Sequence, residues 1–572
     1  VATSDGASGS LRADIIAANA NGEDDTIQLE AGTYVLNIAN SVGQENNGSE
    51  GDLDLTEINH TFTFVGAGAC VTFIDGNSLD RVFQIFSNVT VVFRDLTITG
   101  GAAQDAGADS TLPFSTSSEG GAILATNADV TLDHVFIVDN AARGGDGSST
   151  HAGQAGKGGG IYSLGSVLTI DQSEFSGNIA EGGDGVNGQN PRVAPFPGRN
   201  GTAGQAGQGG AVYASGGTVA ISESAFTNNG ALGGGGGKGL ASRRNSHGSG
   251  AGGRGGDAEG GAVYLNVPTA SLSGVFLFQN SALAGKGGAG GRGTAGASNG
   301  PAGHSHYEID GSPGGDGGEA RGGGLYVAGG TLDFTCSTIA ENCAVAGDGG
   351  SGGRFYPSSN LTALGAGGSG GNAFGAGVFI SNQSTSLTDD IFALNQLVGG
   401  TGGTGHPMGA GGAALGGGVY VHATTLTAAC SLFLGNEVAA GNAGHGFIPS
   451  AGGTGSGGGI ALNVGTATLT DLYVVGNCAQ GGAGGGGSGG DSVGVPFGDI
   501  PHNLNQTQSG SDGGNGGDGY GGGLFVQQGT VDLNNLTAIE NAAIGGDAGN
   551  GGEGKRGDDY SETQYGQKGG DG

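Results

Sequence analysis

The sequence predicts an all-β chain folded as a parallel β-helix, a solenoid with a short N-terminal capping helix and a lateral layer of glycine-rich, polyglycine-II-like insertions. Three observations carry this. A block that opens with small residues, usually two or three glycines, and closes on asparagine recurs nine times, and from its first aliphatic residue to its asparagine there are 17 residues in every copy. Inside the block, apolar and polar residues alternate at period two, the signature of half-buried strands. Outside the block the length is free, from 21 residues (Asn140 to Ile161) to 47 (Asn477 to Leu524). A rigid repeat whose length variation is expelled to one side is the pattern of a solenoid with insertions.

Taking the elements in order, residues 1–22 hold the cap. Ser10 as N-cap, Leu11, Ile15 and Ile16 on one face and Gly22 at the stop describe a short amphipathic helix, suited to covering the open end of a solenoid core. Residues 23–119 give the N-terminal coils: DDTIQLEAGTYVLN, DLDLTEI, HTFTFVGAGACVTFIDG, RVFQIFS and NVTVVFRDLTITGG read as successive strand runs with Gly32 at a turn. The stretch GSLRADIIAANANGEDDTIQLEAGTYVL, with GDLDLT and FVGAGACVTFIDGNSLDRVFQIF, resembles the N-terminal part of secreted bacterial β-helix proteins of the CSLREA type over roughly residues 8–101. The family's Cys is Gly9 here, and its Glu-Ala is Ala13-Asp14. The resemblance implies export and a surface or extracellular setting, not an enzymatic activity.

Residues 120–541 hold nine coils, anchored on Ile123, Ile161, Val212, Val263, Leu325, Val378, Val419, Ile460 and Leu524. They close on Asn140, Asn178, Asn229, Asn280, Asn342, Asn395, Asn436, Asn477 and Asn541. Aromatic residues follow most anchors: Tyr162, Tyr213, Tyr264, Tyr326, Phe379, Tyr420 and Phe525. Apolar columns also stand nine and fourteen residues past the anchor, as in Ile170 and Phe175. This predicts three strands per coil and ladders of like side chains about 4.8 Å apart. The asparagine column suits a turn in the left-handed region, with its amide bonding along the stack. The aromatic column should face outward, either as packing surface for the insertions or as a stacking platform for sugar rings.

The GGA(I/V) openings at Gly120, Gly209 and Gly260, with FSGN at Phe175, FTNN at Phe226 and FLGN at Phe433, resemble the repeats of chlamydial polymorphic outer membrane proteins and related autotransporter passengers. The match spans about Gly120 to Asn541, with Ile339, Val474 and Ala538 in place of Phe. It implies a right-handed parallel β-helix on a bacterial surface.

Several insertions carry glycine at every third residue: Gly198, Gly201, Gly204, Gly207 and Gly210; Gly287, Gly290, Gly293 and Gly296; Gly513, Gly516, Gly519 and Gly522. A polyproline-II-like helix has three residues per turn and no internal hydrogen bonds. Glycine at one corner lets neighbouring segments approach until their backbones pair, which predicts a second packed layer beside the β-helix rather than flexible linkers. Residues 542–572 read as a Gly-rich C-terminal segment without a cap, so a further region, a translocator barrel or another copy is expected at that end.

The chain has 572 residues, 138 of them Gly, and a net charge of −33. That acidity disfavours nucleic acid and anionic membrane as partners. No apolar run of 18 residues predicts a membrane span, and Val1 opens the chain with no visible signal peptide. The expected setting is extracellular or on a bacterial cell surface. The five cysteines are scattered; Cys336 and Cys430 share a column two coils apart, too far for a disulfide.

Candidate chemistry is sparse. HSHYEID would place His304, His306, Glu308 and Asp310 on one face of an extended segment, the best metal candidate, against a polar loop tip. GGNGGDGYG at Gly513–Gly521 fits a nine-residue calcium repeat once, where tandem copies are required. No cofactor is expected, with Ca2+ the one ion the composition suggests. Parallel β-helices include pectate lyases and polygalacturonases, yet Asp389-Asp390 and the Gly444-His445-Gly446 triplet lie far apart, and no set of carboxylates with Lys or Arg accompanies them. The leading expectation is a non-enzymatic structural or adhesive rod. A self-assembling filament or sheath subunit and a polysaccharide-binding or polysaccharide-cleaving protein are the alternatives, with copies of itself or glycans as partners.

Overall fold

The structure is a computed structural model, and it describes residues 4–40, 46–107, 116–189, 200–242, 249–294, 311–356, 364–446, 448–487 and 512–552. The anchors form one ladder. Leu53, Phe83, Ile123, Ile161, Val212, Val263, Leu325, Val378, Val419, Ile460 and Leu524 pair in turn, parallel and in register, so the ladder has eleven rungs, and strands Asp25–Gln28 and Gly32–Val35 stack as one more coil before them. At about 4.8 Å per coil the stack is about 50 Å long. The chain is a parallel β-helix.

The coil anchored on Ile161 shows how the local sequence makes the fold. Three strands, Ile161–Leu164, Val167–Asp171 and Glu174–Ser176, surround the core. Gly165 (φ +65°) and Gln172 (φ +45°) turn the two corners. Period-two alternation sends Ile161, Leu168, Ile170 and Phe175 inward, where all are buried. Each is repeated one coil on, so like packs on like: Phe175 stacks on Phe226 with ring centres 4.6 Å apart, and Phe392 on Phe433 at 4.7 Å.

Two further runs belong to each coil beyond the three strands expected. Gly156–Lys157 precedes the anchor strand and Ile179–Glu181 follows the asparagine. They form ladders of nine and ten strands at the roots of the insertions, because the backbone there must be paired as fully as in the core. The corner after the anchor strand also varies. In the Val263 coil it holds Asn266, Val267 and Pro268 with no left-handed residue, and one 11-residue strand, Val263–Ser273, runs through it.

The N-terminal end is sealed. Leu11–Ala18 is helical, with the Ser10 hydroxyl accepting the Ala13 N–H at 3.2 Å and Leu11 and Ile15 buried on the core. Arg12 is 2 % exposed; it pairs with Asp5 at 2.8 Å and donates to the carbonyls of Gly48, Gly51 and Asp52. Arg81, fully buried, binds Asp52 at 3.3 Å and Asp105 at 2.6 Å. At the other end Leu533 is 48 % exposed, whereas its column neighbour Leu469 is 1 % exposed. The described part of the C-terminal segment continues the architecture: Ala542–Ile544 pairs with Cys478–Gln480, and Gly546 and Gly549 donate to Gly517 and Gly514, both at 2.8 Å.

The insertions form a second layer. Each runs out from the coil and returns, and both arms keep register with their coil. In the outbound arm after Asn229, Gly233, Gly236 and Gly239 donate to Leu283, Lys286 and Ala289 of the next outbound arm, each at 2.8 Å. The glycines between them, Gly234 and Gly237, donate to Gln205 and Thr202 of the previous return arm, both at 2.9 Å. The return arm repeats the rule: Gly252 and Gly255 donate to Pro313 and Asp316 of the next return arm, and Gly253 and Gly256 to Gly237 and Gly234 of their own outbound arm. Bonding that turns to a new neighbour with a period of three is that of packed polyglycine-II helices. Side chains cannot fit between the arms: a Cβ on Gly253 would lie 1.9 Å from the Thr202 carbonyl oxygen.

Candidate functional site

The constant features of the chain are ladders, and each has its own chemistry. The asparagine ladder is the most regular. Asn229 donates its backbone N–H and its Nδ2 to Oδ1 of Asn280, both at 3.0 Å, and gives its second amide hydrogen to the Phe175 carbonyl at 2.9 Å. Its own Oδ1 accepts from the N–H and Nδ2 of Asn178, both at 3.0 Å. The chain of bonds runs from Asn140 to Asn541 through Asn342, Asn395, Asn436 and Asn477. One expectation needs correction. The left-handed residue of the turn precedes the ladder asparagine, as at Asp139, Asn228, Gln279 and Glu341 (φ 54–55°). The ladder asparagine is spared that conformation, which leaves its amide aimed along the stack.

The aromatic column points away from the core and is nevertheless covered. Tyr162, Tyr213, Tyr264, Phe379 and Tyr420 are 6–9 % exposed. Tyr162, Tyr213 and Tyr264 stack in sequence, with centres 5.0 and 4.7 Å apart and planes within 10°. Tyr326 meets Tyr264 edge-on, and Phe379 stacks on Tyr420; Phe525 packs at the end of the same cluster. The strand at the insertion root supplies the cover: Lys157 Nζ sits 5.5 Å from the Tyr213 ring centre, and the Phe374 ring touches Phe379 and Tyr420. Burial, together with Glu119 beside Tyr162 and Glu259 beside Tyr264, pushes those two hydroxyls well up. The charges of this strand are mutually paired, Lys157 with Glu119 at 3.3 Å and Arg321 with Glu259 and Glu319. Ring faces that meet other rings are not open to stack on sugars.

Two further ladders were not read from the sequence. In the insertion layer the first two residues of a triplet bond to neighbouring arms, and at several third residues an Asp or Asn one coil earlier accepts the N–H. Asp184 accepts from Gly235 at 2.6 Å, Asp348 from Thr401 at 3.1 Å, Asn442 from Ala483 at 2.7 Å and Asp316 from Ser369 at 2.8 Å. The second is a serine column 12 residues past the anchor, at the corner between the second and third strands. Ser173, Ser224, Ser337 and Ser431 each donate to the carbonyl two residues back, at 2.6–2.8 Å, and accept a backbone N–H from the coil before. A constant distance from the anchor marks the serine column in the sequence, and Asp184, Asp348 and Asn442 likewise share one distance, 23 residues past their anchors.

His304, His306, Glu308 and Asp310 lie outside the described residues. Among the described residues no group of three His, Cys, Asp or Glu side chains is placed to hold a metal ion. Gly514 and Gly517, within the calcium-like nonapeptide, donate to Gly485 and Gly482 of the insertion layer. Asp389 is exposed, Asp390 is buried in the serine column, and His445 is exposed on an insertion arm. Cys70, Cys336, Cys343, Cys430 and Cys478 are all free. Among the described residues no helix is long and apolar enough to cross a membrane.

No family model and no curated protein matches the chain. Among solved structures it is similar to the catalytic domain of a GH87 alpha-1,3-glucanase in complex with nigerose, at 9% identity and TM-score 0.26, over 81% of this chain and 62% of that one. It is also similar to the A-module of the Azotobacter vinelandii mannuronan C-5 epimerase AlgE6, at 10% identity and TM-score 0.21, over 94% and 95% of the two chains. The chain thus spans under two thirds of the glucanase domain.

Proposed function

We propose that this chain is a non-enzymatic structural or adhesive rod of an extracellular or bacterial cell-surface assembly. The observation that carries the reading is the fate of the insertions. Loops that leave a solenoid on one side are where binding and catalytic groups ordinarily sit. Here their arms use the N–H groups of the glycine and the residue after it in successive triplets, and often that of the third residue, to tie coil to coil. The aromatic column is closed by its own stacking, and its neighbouring charges are paired with one another. Such a body is built for stiffness along its axis. The resemblance of residues 8–101 and 120–541 to exported bacterial β-helix proteins supports the surface setting.

The test has two arms. Immunogold labelling of intact cells producing the full chain is expected to decorate the outer surface. Incubation of the purified chain with a panel of neutral and acidic polysaccharides is expected to release no reducing ends or unsaturated products. Polysaccharide turnover by the chain, or label confined to the cell interior, overturns the reading. Concentration-dependent filaments in electron micrographs would replace the single rod by the self-assembling subunit.

A further inference from the structure

We infer that Asp390 is a proton-operated latch in the β-helix, closing one corner of the Val378 coil in acid and loosening it toward neutral pH. The inference is independent of the proposed function. In four other coils the residue at this corner is a serine whose hydroxyl does two jobs: it accepts an N–H from the coil before and donates to the carbonyl two residues back. In the Val378 coil the residue is Asp390. Its Oδ1 takes over the acceptor role, receiving the Ser337 N–H at 3.0 Å, and its N–H donates to the Ser431 hydroxyl at 3.2 Å. Asp390 is 1 % exposed, and its Oδ2 is buried with no partner among the described residues. An ionised carboxylate cannot donate, so the serine's second job is left undone and a charge is buried beside it. A protonated carboxyl has the missing donor, and in each of the four serine coils the acceptor at this corner is the carbonyl two residues back.

The surroundings favour the protonated form. Burial raises the Asp390 carboxyl and the neighbouring Asp389 and Asp333 carboxylates raise it further; the Ser337 and Thr388 backbones oppose, and the result is pushed up to about 7. Asp389 belongs to the same turn and Asp333 to the coil before; from the coil after comes the uncharged Ser431. The exposed thiols of Cys336 and Cys430 hold the adjoining turn position on either side. No cation pairs with Asp390 among the described residues. The sign follows from linkage: with the folded value above the ordinary carboxylate value, the contribution is complete below about 4 and is lost as pH rises to about 7, then stays flat.

The experiment compares the full chain with Asp390→Ser, which restores the column residue, and with Asp390→Asn, which keeps the size and a donor. Amide hydrogen exchange of residues 386–392 is read from pH 4.5 to 8.5, as the ratio of wild type to variant so that intrinsic exchange and the charge of the whole chain cancel. The expected ratio of protection falls about tenfold per pH unit up to about 7 and is level above it. Both variants should be pH-independent relative to each other. A ratio that does not change with pH for either variant overturns the latch and leaves Asp390 a purely structural substitution. A fall that continues above pH 8 assigns the titration to another group and overturns it equally. Should Asp390→Ser fail to fold, the Asn variant alone gives the same readings.

Discussion

Replacing Asn280 by Ala interrupts the asparagine ladder at its centre, and the structure sets the size of the effect. The Asn280 amide donates to the Phe226 carbonyl at 2.9 Å and to Asn342 Oδ1 at 3.0 Å, while its Oδ1 accepts the backbone N–H and Nδ2 of Asn229, both at 3.0 Å. The side chain is fully buried. Four hydrogen bonds vanish, and the Asn229 N–H and Phe226 carbonyl lose those partners in a site closed to water. At about 1 kcal/mol per lost bond, with an added penalty for buried groups left unmet, the expected loss is about 3–5 kcal/mol. In a solenoid that loss is local, carried by the coil and its two neighbours. The assay is hydrogen exchange at Asn229, Ala231, Asn280 and Ala282 in the full chain, with Gln279→Ala as control. Gln279 is exposed, and its side chain makes one bond, to Glu341 at 2.9 Å. Opening at these amides is expected to rise by at least about a hundredfold over the control. A difference within about fivefold would refute the view that the ladder is a stabilising device rather than a by-product of stacking.

Other positions give contrasting expectations. Gly253→Ala puts a methyl 1.9 Å from the Thr202 carbonyl oxygen, so the arms that precede Val212 and Val263 must part; limited proteolysis should cut within residues 249–257 far faster than in wild type. Arg254→Ala is its control, because the Arg254–Asp257 pair at 2.7 Å is a surface pair contributing no more than about 1 kcal/mol. Phe226→Ala empties the space beside Phe175 in the core and should cost about 3–5 kcal/mol, measured as a shift of the thermal or chemical unfolding transition.

The solenoid was legible because its signals repeat. A single GGA or a single FxxN carries little, but nine in phase fix the anchor ladder, the inward columns and the asparagine column. The insertion layer was legible for a related reason: glycine every third residue has a physical meaning only when neighbouring backbones meet. What escaped was local. The left-handed residue beside each ladder asparagine can be Asp, Asn, Gln, Glu, Leu or Gly, so composition hides it. The two-residue strands at the insertion roots are too short to show a period. They also decide the fate of the aromatic column, since an outward-facing ladder is exposed or covered according to what folds over it. The serine column was present at a constant offset, and the Asp and Asn caps recur on the insertion arms, but both consist of residues common in any turn. For chemistry, the strongest sequence candidate, His304 to Asp310, falls outside the described residues, while Asp390 became notable only once its column partners were known.

The glycine-rich insertions are an ordered, cross-coil lattice and not linkers. The most direct measurement is site-resolved amide exchange of Gly234, Gly237, Gly253 and Gly256 against Val219 and Ile221 in the adjacent core. The lattice predicts protection within about tenfold of the core strands, because each of these N–H groups is bonded to a carbonyl of a neighbouring arm at 2.7–2.9 Å. Exchange of these glycines at the rate of an unstructured peptide, with the core still protected, would contradict it.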